Sequence, residues 1–421
     1  MDVFDRIMAY NAGREPERLQ MKLATMQANP FTFLRGTCHL FYEDWHTSLN
    51  QFKSPSAWIC GDCHLENFGT YKDDNGLVYF DLNDFDECAL APCLWELTRL
   101  LTSLIVASGS LKLKEAQTNQ MVGDMLTRYA QILASGKPKW VERKTADGLI
   151  KTLLTDLSKR SQKDFVASRT KLRDGDLKLF IDGKRTLKLD KVNKDAALSM
   201  FKSCMLVSSK NDYFYPLDIA RRVAGTGSLG VERYVALIVS DGGKNNHRLI
   251  DIKAINKGAL SPYLSLKQPQ WNSESVRVAN IQSHAQATSP ALLKSAEYNG
   301  QSYLIKELQP TQDRLDLSRW DDNLKKLAYI FETMAEIVAW IHCRNAGYLQ
   351  ATSREDLMQF ALDEQWPIET FNLAKLAEIK QLHSGWNTKK LSVNHWQKIS
   401  NIANTLADKL FGLITVGTIF L

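Results

Sequence analysis

From residue 324, the apolar positions of LKKLAYIFETMAEIVAWIHCRN recur every three to four residues, the spacing that lines one face of an α-helix. PCLWELTRLLTSLIVASG, from Pro92, repeats that pattern and stops at Gly109. Residues 1–50 read as helices with a turn at Asn29-Pro30, and residues 111–170 continue as helices. Strand patterns are shorter. Residues 56–61 form an apolar run ended by Gly61, and GLVYFDL (76–82) follows the turn KDDNG. KLRDGDLKLFIDGKRTLKL (171–189) carries Asp-Gly at two points and predicts a hairpin. Residues 221–255 form two β-rich runs joined by a Gly/Asn turn, and QSYLIKELQP (301–310) is a strand closed by proline. A β-rich unit therefore lies between two mainly helical regions, an α+β pattern with no internal repeat and no low-complexity linker.

The chain's 421 residues allow two or three domains, and its 44% hydrophobic content is that of a globular protein with a large core. Its first residues show no basic segment followed by an apolar run, so no signal peptide is expected. The apolar tail at 410–421 is too short to span a bilayer and is expected to bury as a helix or strand. No membrane association is expected, and a cytoplasmic location is the default. Seven scattered cysteines argue against a secreted disulfide framework. Residues 137–194 hold 17 Lys and Arg against 8 Asp and Glu, an excess above the whole-chain +6. That basic stretch suits either the solvated face of a helical insertion or a phosphate-rich partner; no nucleic-acid binding is predicted.

Three motifs carry candidate chemistry. In ICGDCHLENFG (59–69), Asp62 precedes Asn67 by five residues, and Asp81 ends the next strand, with Asp84 and Asp86 close behind. An Asp that takes a hydroxyl proton, an Asn that ligates Mg²⁺ and a further metal-binding Asp are the parts of a phosphotransferase loop. A rival reading groups Cys60, Cys63, Cys88 and Cys93, with His64 nearby, as a zinc cluster. The loose second spacing disfavours it, and no structural zinc is expected. A turn rich in Asx residues with buried free thiols is the third reading.

GTGSLG, with Gly225, Gly227, Ser228 and Gly230, is followed by a β-rich run rather than a helix. Glycines at a hairpin tip fit a loop whose backbone covers nucleotide phosphates. Lys253 stands among apolar neighbours on the returning strand, where it either holds α- and β-phosphates or faces solvent at a sheet edge. Glu274 is the acid best placed to orient it, unless it is simply a surface residue. Arg35 and His39, among aromatics upstream of the loop, either contact substrate or phosphate or are packed and hydrogen-bonded.

With FLRGTCHLFYEDW (33–45), GDCHLENFG (61–69), DLNDFDE (81–87), GTGSLG and DIKAI in this order, the chain resembles the protein-kinase-like superfamily. Within it, the chain looks closest to a bacterial family of uncharacterised proteins known mainly as a domain of unknown function. VYFDLNDFDECALAPCLWELTRLL also resembles the metal-Asp hairpin and following helix of aminoglycoside phosphotransferases. Cys60 stands where kinases usually carry His, and the glycine loop and lysine follow the catalytic loop instead of preceding it. The resemblance thus implies a two-lobed, circularly permuted kinase-like fold. Residues 1–214 would form the first part of the helical catalytic lobe, with a basic insertion over about 111–214. Residues 215–308 would form the nucleotide lobe, and 309–421 the hinge and remaining helices. Backbone near Glu307 and Leu308 would meet an adenine. The implied activity is ATP- and Mg²⁺- (or Mn²⁺-) dependent phosphoryl transfer to a small-molecule or protein hydroxyl. In it, Asp62 would be the base or hydroxyl-orienting group, Asn67 with Asp81 or Asp84 would hold metal, and Lys253 aligned by Glu274 would grip phosphate. A non-catalytic nucleotide-binding scaffold and an adenylyl transferase are the alternatives.

Overall fold

The computed structural model describes residues 3–50, 53–206, 214–240 and 246–363. The apolar tail and most of the Gly/Asn turn after Ser240 lie outside the described residues. Four helices open the chain: α1 (Val3–Tyr10), α2 (Pro16–Gln27), α3 (Pro30–Gly36) and α4 (Cys38–Leu49). Proline begins both α2 and α3, where its missing N–H costs nothing, and Asn29 and Thr32 cap α3 reciprocally. Two small antiparallel pairs follow. Strand β1 (Ser56–Ile59) pairs with β4 (Ala89–Pro92), and between them β2 (Phe68–Lys72) pairs with β3 (Val78–Leu82).

Helix α5 (Cys93–Ala107) is buried on nearly every side. That is why its apolar pattern is almost unbroken and why its few polar residues need internal partners. Helix α6 (Glu115–Ser135) ends at Gly136 in the left-handed conformation, and α7 (Gly148–Lys159) and α8 (Gln162–Ala167) follow. The expected hairpin is β5 (Thr170–Arg173) with β6 (Asp176–Leu179), turned at Asp174-Gly175, both at positive φ. Its second Asp-Gly does not close that hairpin. Asp182 there accepts three successive backbone N–H groups, and β7 (Thr186–Leu187) leaves to join the main sheet.

Past α9 (Lys191–Leu206) run β8 (Phe214–Arg222), β9 (Arg233–Ser240) and β10 (His247–Ile255), then α10 (Glu274–Ala285). A hairpin of β11 (Lys294–Tyr298) and β12 (Gln301–Glu307) turns at Asn299-Gly300. The six strands pair antiparallel in the order β11-β12-β10-β9-β8-β7. The chain ends its described course with α11 (Leu324–Arg344) and α12 (Arg354–Leu362).

The architecture is α+β. The largest core joins α5, α6 and α11 around Trp58, Trp95 and Phe331, and a separate core covers one face of the sheet beneath α9. Residues 348–352 return to β1: Trp58 Nε1 donates to the Tyr348 carbonyl (3.0 Å) and the Thr352 N–H to that of Ser56 (2.9 Å). No described helix is long and apolar enough to cross a membrane.

Candidate functional site

The loop after β1 is shaped by backbone that only glycine tolerates. Gly61 sits at φ +83°, and a Cβ there would lie 2.2 Å from the Glu87 carbonyl oxygen. At Gly69 a Cβ would meet Asn83 Nδ2 and the Asp313 carbonyl at 2.5 Å. The hydroxyl of Tyr42 donates to the Gly61 carbonyl (2.6 Å), and Leu65 N–H donates to Ser103 of α5 (3.2 Å). Between these anchors Asp62 projects from the loop with a partly exposed side chain. Its Oδ1 accepts a fork from the fully buried Arg99, Nε at 2.9 Å with Nη2 closing the pair. The guanidinium also stacks 4.9 Å from the Phe41 ring centre.

Asn67 is buried, and its Nδ2 donates to the carbonyls of Asp62 and Asp84, both at 3.2 Å. These two hydrogen bonds fix the amide orientation, and Asn67 lines the cavity. Asp84 lies against Lys253 Nζ at 3.3 Å, and Asp86 contacts the same ammonium. Burial alone would raise Asp84, but Lys253 and Lys306 outweigh it and hold that carboxyl well below the usual range. Burial and the neighbouring Asp84 charge push Asp86 up.

A cavity of about 650 Å³, within the range of small-ligand sites, joins Asp62, Asn67, Asp84 and Asp86 to Gly225, Gly227, Ser228 and Gly230. Gly225 and Gly230 are at positive φ, and a Cβ on Gly227 would stand 4.0 Å from Asp62 Oδ2. The loop is clasped from the N-terminal arm. Arg14 Nη1 donates to the carbonyls of Gly227 and Leu229, both at 2.7 Å, and Lys22 Nζ to that of Gly227 at 3.2 Å.

Three expectations are corrected by this geometry, and of the two roles open to His39 it favours packing. Asp81 does not border the cavity. Its Oδ1 accepts the Leu82 N–H (2.9 Å) and its Oδ2 the Ala287 N–H (3.0 Å), so it ties the β2–β3 hairpin to the end of α10. Glu274 pairs with Arg277 (2.8 Å) and not with Lys253. Arg277 then reaches the Asp86 carbonyl (2.9 Å), so Glu274 acts on this segment one residue removed. The N–H groups of Glu307 and Leu308 already donate to the carbonyls of Ala291 (2.9 Å) and Leu249 (2.8 Å), leaving neither for an adenine. His39 is buried and stacked 3.9 Å from Tyr10, and burial lowers it to about 3. It is a neutral packing residue away from the cavity lining.

Arg35 does line the cavity, neutralised by Glu66. His64 also borders it, with Nδ1 accepting the Glu66 N–H (3.2 Å); burial keeps its ring neutral.

The four-cysteine cluster is not assembled. Cys88 meets Arg277, while Cys93 begins α5 beside Tyr129. Cys60 and Cys63 do adjoin the buried Glu96, ligand atoms within 4.8 Å. That carboxylate accepts the Cys60 N–H (2.6 Å) and contacts His342 (2.9 Å). Sequence reasoning missed Arg99, Arg14, Glu87 and Arg314. A lone Arg inside the otherwise apolar LTRLLTSL pattern was the available signal for the first.

The chain matches, over residues 14–381, the family described as an uncharacterized protein conserved in bacteria (DUF2252), and it belongs to that family. No curated protein and no solved structure matches it.

Proposed function

We propose that the protein is an ATP- and Mg²⁺-dependent phosphotransferase on a circularly permuted kinase-like fold. The observation that carries the reading is the single cavity in which the Asp62 loop and the Gly225–Gly230 loop, distant in sequence, face each other. The return of residues 348–352 to β1 is also what a permuted arrangement requires, since those segments would be consecutive in an unpermuted chain. Asn67 and Asp84 offer neighbouring oxygen donors that suit Mg²⁺, and Asp84 takes over the role expected of Asp81. When bound with the nucleotide, the metal would neutralise charge on the phosphate oxygens.

In the transfer, a bond forms between the acceptor oxygen and the γ-phosphorus as the bond from that phosphorus to the ADP oxygen breaks. The acceptor proton passes to Asp62 and on to water. Asp62, its carboxylate fixed in place by the buried Arg99 guanidinium, also orients the hydroxyl for attack. Lys253, now shared by Asp84 and Asp86, exchanges one of these partners for phosphate.

Calorimetry with Mg-ATP and turnover against pooled metabolites test this. Lys253→Ala should weaken nucleotide binding about tenfold to a hundredfold. Asp62→Asn should leave binding unchanged and abolish turnover. Binding without any Asp62-dependent turnover would favour the scaffold reading. Its specific support is that Lys253 already pairs with both Asp84 and Asp86. Product mass separates phosphoryl from adenylyl transfer.

A further inference from the structure

The cavity above adjoins a second one of about 720 Å³, lined by Val223 and Ala224 and by Gln309 and Thr311 beyond β12. Five residues line both: Arg35, Glu66, Gly225, Thr226 and Arg314. Any ligand threading from one to the other passes between the glycine loop and Arg314. The cations around this passage are mostly neutralised or occupied. Arg35 pairs with Glu66, Arg221 with Glu15, and Arg222 with Asp251, while Arg14 is spent on loop carbonyls. Lys257 and Arg319 are exposed at the rims.

Arg314 differs from all of these. It is half-buried, and among the described residues its guanidinium has no hydrogen bond or ion pair, although Gly69 fixes its backbone by a β-bridge. The charged groups facing it are Asp84 and Glu66, which attract it, and Arg233 and Arg35, which repel it. A partly desolvated cation without a partner is an unfavourable arrangement that an anion relieves. A planar guanidinium is the side chain best suited to phosphate.

We propose that Arg314 binds the terminal phosphate of a nucleoside triphosphate. The base and sugar would lie in the second cavity, and the triphosphate would point past Gly225 toward Asp84 and Asp62. This rests on the phosphotransferase reading and deepens it by assigning the anion site that distinguishes tri- from diphosphate. The site lies between the metal-binding pair and the glycine loop, where the phosphoryl group would leave ADP.

Titration calorimetry of the full chain with Mg-ATP and with Mg-ADP tests the assignment. Arg314→Gln should weaken ATP about tenfold or more while changing ADP by less than about threefold, as expected for loss of one charge-assisted contact to the last phosphate. Arg314→Lys, which keeps the charge and perturbs packing as much, should recover most of the preference for ATP. If Arg314→Gln weakens both nucleotides equally, or neither, the assignment is overturned while nucleotide binding stands. If the parent binds neither nucleotide, the phosphotransferase reading itself is overturned, and Arg314's role with it.

Discussion

The two walls of the cavity are built by opposite means. The Asp62 wall is seated on buried side chains: Arg99, Tyr42 and Ser103 each hold one point of the loop, and Gly61 packs its backbone onto that of Glu87. The glycine-loop wall has a looser seat at its first glycine. Around Gly225 a Cβ would meet only Ser228, at 3.7 Å, and the loop is held by Arg14 and Lys22 reaching in from the N-terminal arm. One wall is preorganised by core packing and the other is tethered by replaceable hydrogen bonds. A site that must position a carboxylate and also admit a ligand uses both properties.

The sharpest way to break this contrast is to add one methyl group to each wall. Gly61→Ala should cost about 4 kcal/mol in urea unfolding, because a carbonyl oxygen occupies the Cβ position and φ is positive. Gly225→Ala, with positive φ but open space, should cost about 1 kcal/mol. Equal costs would erase the distinction. Arg99→Met should come next, at about 2–3 kcal/mol, since it leaves Asp62 beside an apolar pocket; Asp62's partial exposure softens the loss.

A pH comparison follows. Burial raises Glu87 from 4.5 to about 7, so the folded state holds that proton more tightly than the unfolded chain. Its stabilising contribution is full below about 4.5 and is lost as pH rises through about 7. Relative to Glu87→Gln, the parent should therefore lose about 1–2 kcal/mol across that window in thermal unfolding, discounted because Glu87 lines a cavity open to water. Arg14→Ala should have the smallest effect on stability, below about 1 kcal/mol. It should nevertheless speed hydrogen exchange across residues 225–230 and leave residues 60–67 unchanged.

Much of the Asp62 wall was legible because its demands are local. A strand ended by glycine, an Asp and Asn five apart, and a following hairpin all declare themselves within thirty residues. Lys253 stood out as a lysine within an apolar strand, although its partners Asp84 and Asp86 lie far back in the sequence. What failed were choices between near neighbours. Of Asp81, Asp84 and Asp86, Asp81 is on β3 and is claimed by the end of α10, while Asp84 and Asp86 lie in the turn beyond the strand and line the cavity. Glu274 was drawn to Arg277 one turn along its own helix, a local partner that beat a distant lysine. The β11 strand was missed although Asn299-Gly300 marked its turn, because its sequence KSAEY carries little β signal. Arg99, Arg14 and Arg314 act across long separations, which no window of sequence displays.

The bond from Trp58 to the Tyr348 carbonyl joins residues 290 positions apart. During synthesis, β1 and α5 therefore leave the ribosome long before the segment that completes their packing. Until residue 352 emerges, Trp58 and part of the apolar surface of α5 have no α11 to cover them. Nascent chains halted near residue 320 should accordingly bind hydrophobic-surface dyes and chaperones, and those carried past 352 should release them.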